Sequence, residues 1–326
     1  MKKLFSLILA AMLILTLAGC AQTPASSNEP LKIAVLLPSS PNDGSWGQAG
    51  AEAAKFTADA LGAELATIEA STADTMKSEA ESLADSGYKI IFGHGGQYAS
   101  PFAEISGEYP DVYFITIGGD VITKNQFPLQ IATEQCAYIQ GVLAAKLSKT
   151  GKIGVVMGGD FPAYTKTGVA LDLGAKAINP NIEIMTSFVT DSNDLNEAYE
   201  VAMSQISAGA DFLFSNANVS SLGVVKAAKE SGVYFCGITV TISEAPDTIL
   251  NSVDTNMGTA WLAVAQRCLD GKAAAEAQVA GVPEGAVSFT WNEDLRKTLP
   301  ADCQSVYEDY IDKITSGEIV VPGENG

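Results

Sequence analysis

The stretch LKIAVLL, residues 31–37, and its counterpart KIGVVM, residues 152–157, decide the fold. Both are short and almost wholly apolar, with Ile and Val in place of the alternation that marks a strand with one wet face. Such runs fit strands covered on both sides. Outward from them, further short apolar runs at 88–92, 112–117, 182–185, 211–214 and 233–238 alternate with longer stretches of helical spacing at 47–61, 75–85, 162–178, 195–207 and 221–230. This alternation predicts an α/β protein built on parallel sheets. The halves echo each other. SGYKIIFGH, 86–94, aligns with AGADFLFSN, 208–216, which places His94 and Asn216 at matching positions. The expected architecture is two doubly wound parallel-sheet lobes, with strand ends facing each other across a cleft, where open α/β folds bind ligands.

The chain opens with Lys2 and Lys3, an apolar run to Leu17, and the tetrapeptide Leu17-Ala18-Gly19-Cys20. The run is shorter than the roughly 20 residues a spanning helix needs. The tetrapeptide resembles the lipobox of bacterial lipoproteins, so residues 1–19 read as a lipoprotein signal peptide, with Cys20 as the lipidated residue and 20–30 as a lipid-anchored tether. An uncleaved membrane anchor is the alternative. The remainder divides into an N-terminal lobe at 31–130, a C-terminal lobe at 131–250, a return segment to the N-terminal lobe at 251–285, and a C-terminal segment at 286–326 that completes the C-terminal lobe. The expected place is the extracytoplasmic face of the cell membrane.

Acidic residues outnumber basic ones 38 to 19, which argues against nucleic acid as a partner. Cys136, Cys236, Cys268 and Cys303 show no CxxC pair and no neighbouring histidine, so zinc is not expected. In an exported protein these thiols could pair, with Cys268–Cys303 as the candidate, although Cys236 lies in an apolar run and also reads as core.

His94 is the only histidine. No GxSxG turn accompanies it, and Gly93-His94-Gly95-Gly96-Gln97-Tyr98 fails as a dinucleotide loop because Tyr98 stands where the last glycine belongs. Neither catalysis nor a cofactor is expected. Two readings stand for this loop. In one, its glycines admit a ligand to the backbone while His94, Gln97 and Tyr98 line a cleft; in the other, His94 holds the loop's own shape. Trp46, just past the first strand, could stack on a flat ring or pack the helix start. Phe161 and Tyr164 hold the equivalent place in the second half. Asn42 and Asp43 could read the polar edge of a base or cap the helix. Asn216 and Asn218 present amides from the loop after a second-half strand.

The loop Asn42-Asp43-Gly44-Ser45-Trp46-Gly47-Gln48, the triplet Gly93-His94-Gly95, Pro110-Asp111-Val112-Tyr113-Phe114 and the stretch from Tyr138 to Gly159 together resemble the basic membrane protein family of bacterial lipoproteins. The corresponding family patterns are NDGGWNQ, GHG, PDVKF and YLAGVLA…KTGKVGFVGG. The resemblance runs from Leu31 to about Asp270 and fades in the tail. It implies the type I periplasmic-binding-protein fold, with three crossovers forming a hinge, and a monomeric, non-enzymatic receptor that hands a nucleoside or purine-like nucleobase to an ABC permease. Taken together, the loop readings and the resemblance give as expected ligand contacts Asn42, Asp43, Trp46, His94, Gly95, Gln97, Tyr98, Asp120, Phe161, Tyr164, Asn216, Asn218, Thr239 and Asp254. One departure stands out. Where nucleoside receptors carry ribose-binding carboxylates, this chain has Gly118-Gly119 and Thr239-Val240-Thr241, leaving Asp120 and Asp254 to compensate. A free base, or another flat heterocycle, is thus almost as compatible as a nucleoside. A sugar, autoinducer or flavin-like ligand in the same fold, or a hydrolase, are the alternatives.

Overall fold

The computed structural model describes residues 30–43, 46–160, 162–238 and 240–323. The signal peptide, Cys20, Phe161 and Thr239 lie outside the described residues. The first half runs β1 (Lys32–Leu37), α1 (Trp46–Leu61), β2 (Glu64–Glu69), α2 (Ala73–Asp85), β3 (Ile90–Gly93), α3 (Ala99–Ser106), β4 (Tyr113–Ile117) and β5 (Gln126–Ile131). The second runs α4 (Thr133–Leu147), β6 (Lys152–Met157), α5 (Pro162–Ile178), β7 (Glu183–Phe188), α6 (Leu195–Ser207), β8 (Phe212–Asn216), α7 (Ser221–Ser231), β9 (Tyr234–Gly237) and β10 (Ile249–Thr255). The chain ends with α8 (Met257–Leu269), β11 (Gln278–Ala280), β12 (Val287–Trp291), α9 (Glu293–Arg296) and α10 (Ala301–Thr315).

These strands form two six-stranded sheets, ordered β11-β5-β4-β3-β1-β2 and β12-β10-β9-β8-β6-β7. All pairings are parallel except β10 with β12. The opening stretch explains why. Ile33, Val35 and Leu37 pack into one core with Trp261 of α8, while Ala34 and Leu36 pack into another with Met76 of α2 and Phe102 of α3. Successive side chains point to opposite faces, and burial of both requires helices on both. The second sheet repeats the device, with Ile153, Val155 and Met157 on one side and Val156 on the other.

Three crossovers join the lobes. The chain leaves the first sheet after Ile131, returns to it after Thr255, and leaves it again between Ala280 and Val287. The return expected at 251 therefore comes later, because β10 stays in the second sheet to Thr255. The crossovers are stitched together: Gln135 Oε1 accepts from Val282 N at 2.7 Å, and Asn256 N donates to Ala286 O at 2.8 Å. Lys166 Nζ of α5 lies 3.1 Å from Glu134 Oε2, both side chains nearly buried, and also donates to Ile131 O at 3.4 Å. A C-terminal-lobe helix is thereby tied to the first crossover.

The expected Cys268–Cys303 pairing is corrected. All four described cysteines are free and buried, and these two lie in the cores of different lobes. Burial in apolar surroundings pushes the Cys268 thiol up to about 12, which keeps it protonated and inert. No helix among the described residues is long and apolar enough to cross a membrane.

Candidate functional site

The crossovers after β5 and β10 both depart from carboxyl ends of strands, so the carboxyl edges of the two sheets face the hinge and each other. The loops at those edges carry the candidate residues.

In the N-terminal lobe, α1 begins at Trp46. Asp43 accepts from Gly47 N at 3.1 Å, from Gln48 N at 3.0 Å and from Ser39 Oγ at 2.7 Å. Its carboxylate thus sits on the positive end of α1, the ordinary work of an acidic cap. Asn42 is exposed beside it. Trp46 is 45% exposed, and one face of its indole stacks on the His94 ring with centroids 3.9 Å apart and planes at 20°. The two residues also exchange hydrogen bonds. Trp46 Nε1 donates to His94 O at 3.2 Å, and His94 Nε2 lies 2.8 Å from Trp46 O.

His94 itself is 0% exposed, which favours the second reading of this residue, a support of the loop's own shape, over a wall of the cleft. Its ring is held on three sides: by Trp46, by Trp261 of α8 at 5.6 Å, and by α1 at Gly50, where a Cβ would overlap the imidazole. Desolvation lowers its pKa from 6.5 to about 4, outweighing the bond to Trp46 O and the charge of Asp43. Tyr98 is likewise turned inward. It is buried under the sheet with its hydroxyl donating to Ala70 O at 2.8 Å, and burial raises its pKa. Gly95 is buried at φ 147°, with the exposed Gln97 side chain folded against it.

The missing carboxylate at Gly118-Gly119 has a backbone cause. Both residues have positive φ, 79° and 87°, and a Cβ on Gly96 of the neighbouring loop would come within 3.2 Å of Gly119 N. A side chain at this turn would be strained. The chain instead delivers Asp120, exposed, one residue later.

In the C-terminal lobe, Asn216 is buried and its Nδ2 donates to Thr167 Oγ1 at 3.1 Å. Asn218 is exposed, with Nδ2 donating to Tyr164 Oη at 2.7 Å. Its φ of +49° is the one positive value among described non-glycine residues, a conformation asparagine tolerates. Asn218 also borders an open cavity of about 480 Å³ with Val219, Val240 and Glu244. Asp254 stands apart from both corners. It accepts from Thr290 Oγ1 and borders a cavity of about 560 Å³ beside Glu52 and Phe56 of α1 at the hinge. Sequence reasoning missed Gly50, Trp261 and Thr167, which seat the candidate residues from other elements. Among the described residues no cluster of histidine, cysteine and carboxylate side chains is built to hold a metal.

Two parallel-sheet lobes on a three-strand hinge, with one aromatic and one amide-rich corner at facing strand ends, define a cleft-type solute receptor. Residues 31–325 match the Bmp family, described as ABC transporter substrate-binding protein PnrA-like, and the chain belongs to it. Basic membrane protein A2 of Borrelia garinii subsp. bavariensis is 26% identical over 331 residues, covering 99% of this chain and 96% of its own. A purine-binding protein of Brucella abortus is 27% identical over 317 residues, covering 94% and 88%. A solved ABC transporter solute-binding protein from Conexibacter woesei superposes with a TM-score of 0.63 at 21% identity, over 90% of this chain and 99% of that one. The fold is that of type I periplasmic binding proteins, and the family is one of extracytoplasmic receptors for ABC transporters, not of enzymes.

Proposed function

We propose that this receptor captures a purine-like nucleobase or a nucleoside between its lobes and presents it to an ABC import permease, working as a monomer held to the membrane by lipid on Cys20. The observation that carries the ligand class is the indole of Trp46, one face backed by a ring and the other open at the carboxyl edge of the sheet. A flat heterocycle gains about 1 to 3 kcal/mol from such a face. Asn218 and Tyr164, and beyond the described residues Phe161, supply the opposing lobe's contacts, and the purine-binding relative from Brucella abortus supports the same class. The Gly118-Gly119 turn carries no carboxylate of its own and offers Asp120 a residue later, so a free base is almost as compatible as a nucleoside.

The test is a thermal-shift screen of purines, pyrimidines, their nucleosides and sugars, since a ligand of the native state raises the melting temperature by mass action. Purines are expected to stabilise the protein most. Trp46→Ala is expected to weaken the best ligand at least about tenfold, the loss of one stacked base. Stabilisation by sugars alone, or a Trp46→Ala variant of unchanged affinity, overturns the ligand assignment. Mass spectrometry of the membrane-extracted protein checks the anchor: a diacylglyceryl group on Cys20 is expected, and an unmodified or uncleaved N-terminus refutes it.

A further inference from the structure

We propose that His94 is the positioning residue of the Trp46 platform: it fixes the plane of the indole and withdraws the indole N–H from ligand recognition. The proposal rests on the reading that Trp46 stacks on the ligand. It starts from the reciprocity of the pair. Indole Nε1 donates to His94 O, and imidazole Nε2 meets Trp46 O. A carbonyl can only accept, so Nε2 carries the proton, and the tautomer follows. Nδ1 is then a buried lone pair, and it has no hydrogen-bond partner. A buried polar atom left without a partner costs roughly 1 to 3 kcal/mol. A phenylalanine core would avoid that cost, but it could not hold Trp46 O.

The surroundings fit a bracket built for one ring orientation. Gly50 leaves room for the imidazole against α1, and Trp261 closes the side away from the cleft, itself stacked on Phe92 at 4.4 Å. Rings thus run from the exposed indole through His94 to α8, the helix that follows the second crossover. Because the imidazole is buried and neutral at ordinary pH, it supplies shape and one donor without charge. With its N–H already bonded to His94 O, Trp46 offers a ligand a π face and no hydrogen bond. Selectivity among flat rings is left to the polar groups across the cleft.

The experiment uses the whole protein labelled with 5-fluorotryptophan, whose Trp46 fluorine resonance is assigned by Trp46→Phe. Without ligand, that resonance is expected to shift and broaden in His94→Ala, and to stay nearer its native position in His94→Gln, which keeps a donor toward Trp46 O. The Trp291 resonance, in the other lobe, reports that each variant is folded. Adenine and adenosine titrations then follow. Affinity is expected to fall about tenfold in His94→Ala and less in His94→Gln. An unmoved Trp46 resonance in both variants overturns the proposal, as does a displaced resonance with unchanged affinity. If the wild-type protein binds neither adenine nor adenosine, nor any other purine or nucleoside, the ligand assignment fails while the ligand-free spectra still decide the role of His94.

Discussion

In the N-terminal lobe the aromatic residue at the start of the first long helix leans on a ring; in the C-terminal lobe its counterpart is held by an amide. Trp46 stacks on buried His94, whereas Tyr164 accepts from Asn218, and Asn216, which matches His94 in the half-repeat, donates to Thr167. The same strand-loop-helix frame thus supports a dry, ring-backed corner in one lobe and a hydrogen-bonded corner in the other. Under the proposed function the difference is a division of labour. A π face binds any flat ring, while amides and hydroxyls distinguish one ring edge from another. The corners also differ in what anchors them. The first is braced by α8 through Trp261, the second by the Lys166–Glu134 pair, which ties α5 to the hinge crossover.

That second brace predicts the largest effect. Lys166→Met leaves the Glu134 carboxylate nearly buried without its cation, and breaking such a pair costs about 3 kcal/mol or more. Urea unfolding should show this loss, and Lys166→Met combined with Glu134→Gln should recover most of it, since removing both charges removes the uncompensated one. A single variant as stable as the wild type would mean that solvent already screens the pair and the second corner has no such anchor.

The first corner is broken instead by acid. The folded pKa of His94, about 4, lies below its ordinary 6.5, so between these values the unfolded chain takes up a proton that the folded chain refuses. Stability from this group is complete above pH 6.5, declines as the pH falls, and is lost below about 4. The sum is on the order of 2 to 3 kcal/mol. Carboxylates titrate in the same range, so the measurement is a difference: between pH 7 and pH 4.5 the wild type should lose more stability than His94→Gln. Equal losses would show that the imidazole is hydrated in solution and the ring-backed corner is looser than its geometry.

The central strands were legible because stretches such as Leu31–Leu37 and Lys152–Met157 bury both faces, a demand written in consecutive residues, whereas β2, β5, β10, β11 and β12 carry no such continuous signal and were not legible. The later crossover was not legible to the residue. Nothing local in Asn251–Thr255 distinguishes a strand that stays in the second sheet from one that leaves it; antiparallel pairing with the distant β12 does. Likewise the neighbourhood of His94 named a loop at a strand end, and the direction of its ring depends on Gly50 and Trp261, which lie on helices far along the chain. Asp43 shows the reverse. Its local reading as a cap agrees with its contacts to Gly47 and Gln48. The guess of a disulfide failed because cysteine count carries no information on which lobe each thiol enters.

The smallest predicted effect sharpens the amide corner. Tyr164→Phe keeps the ring at the mouth of the second lobe and removes the hydroxyl that accepts from Asn218 Nδ2 at 2.7 Å. The bond joins groups near solvent, so the loss is that of a single neutral hydrogen bond, about 1 kcal/mol, or roughly fivefold in affinity. It should appear in binding more than in stability, because the bond orients an exposed amide at positive φ and no core depends on it. Isothermal titration with the best purine, beside Trp46→Ala, ranks the corners directly. A larger penalty for Tyr164→Phe than for Trp46→Ala would invert the assignment of face to one lobe and edge to the other.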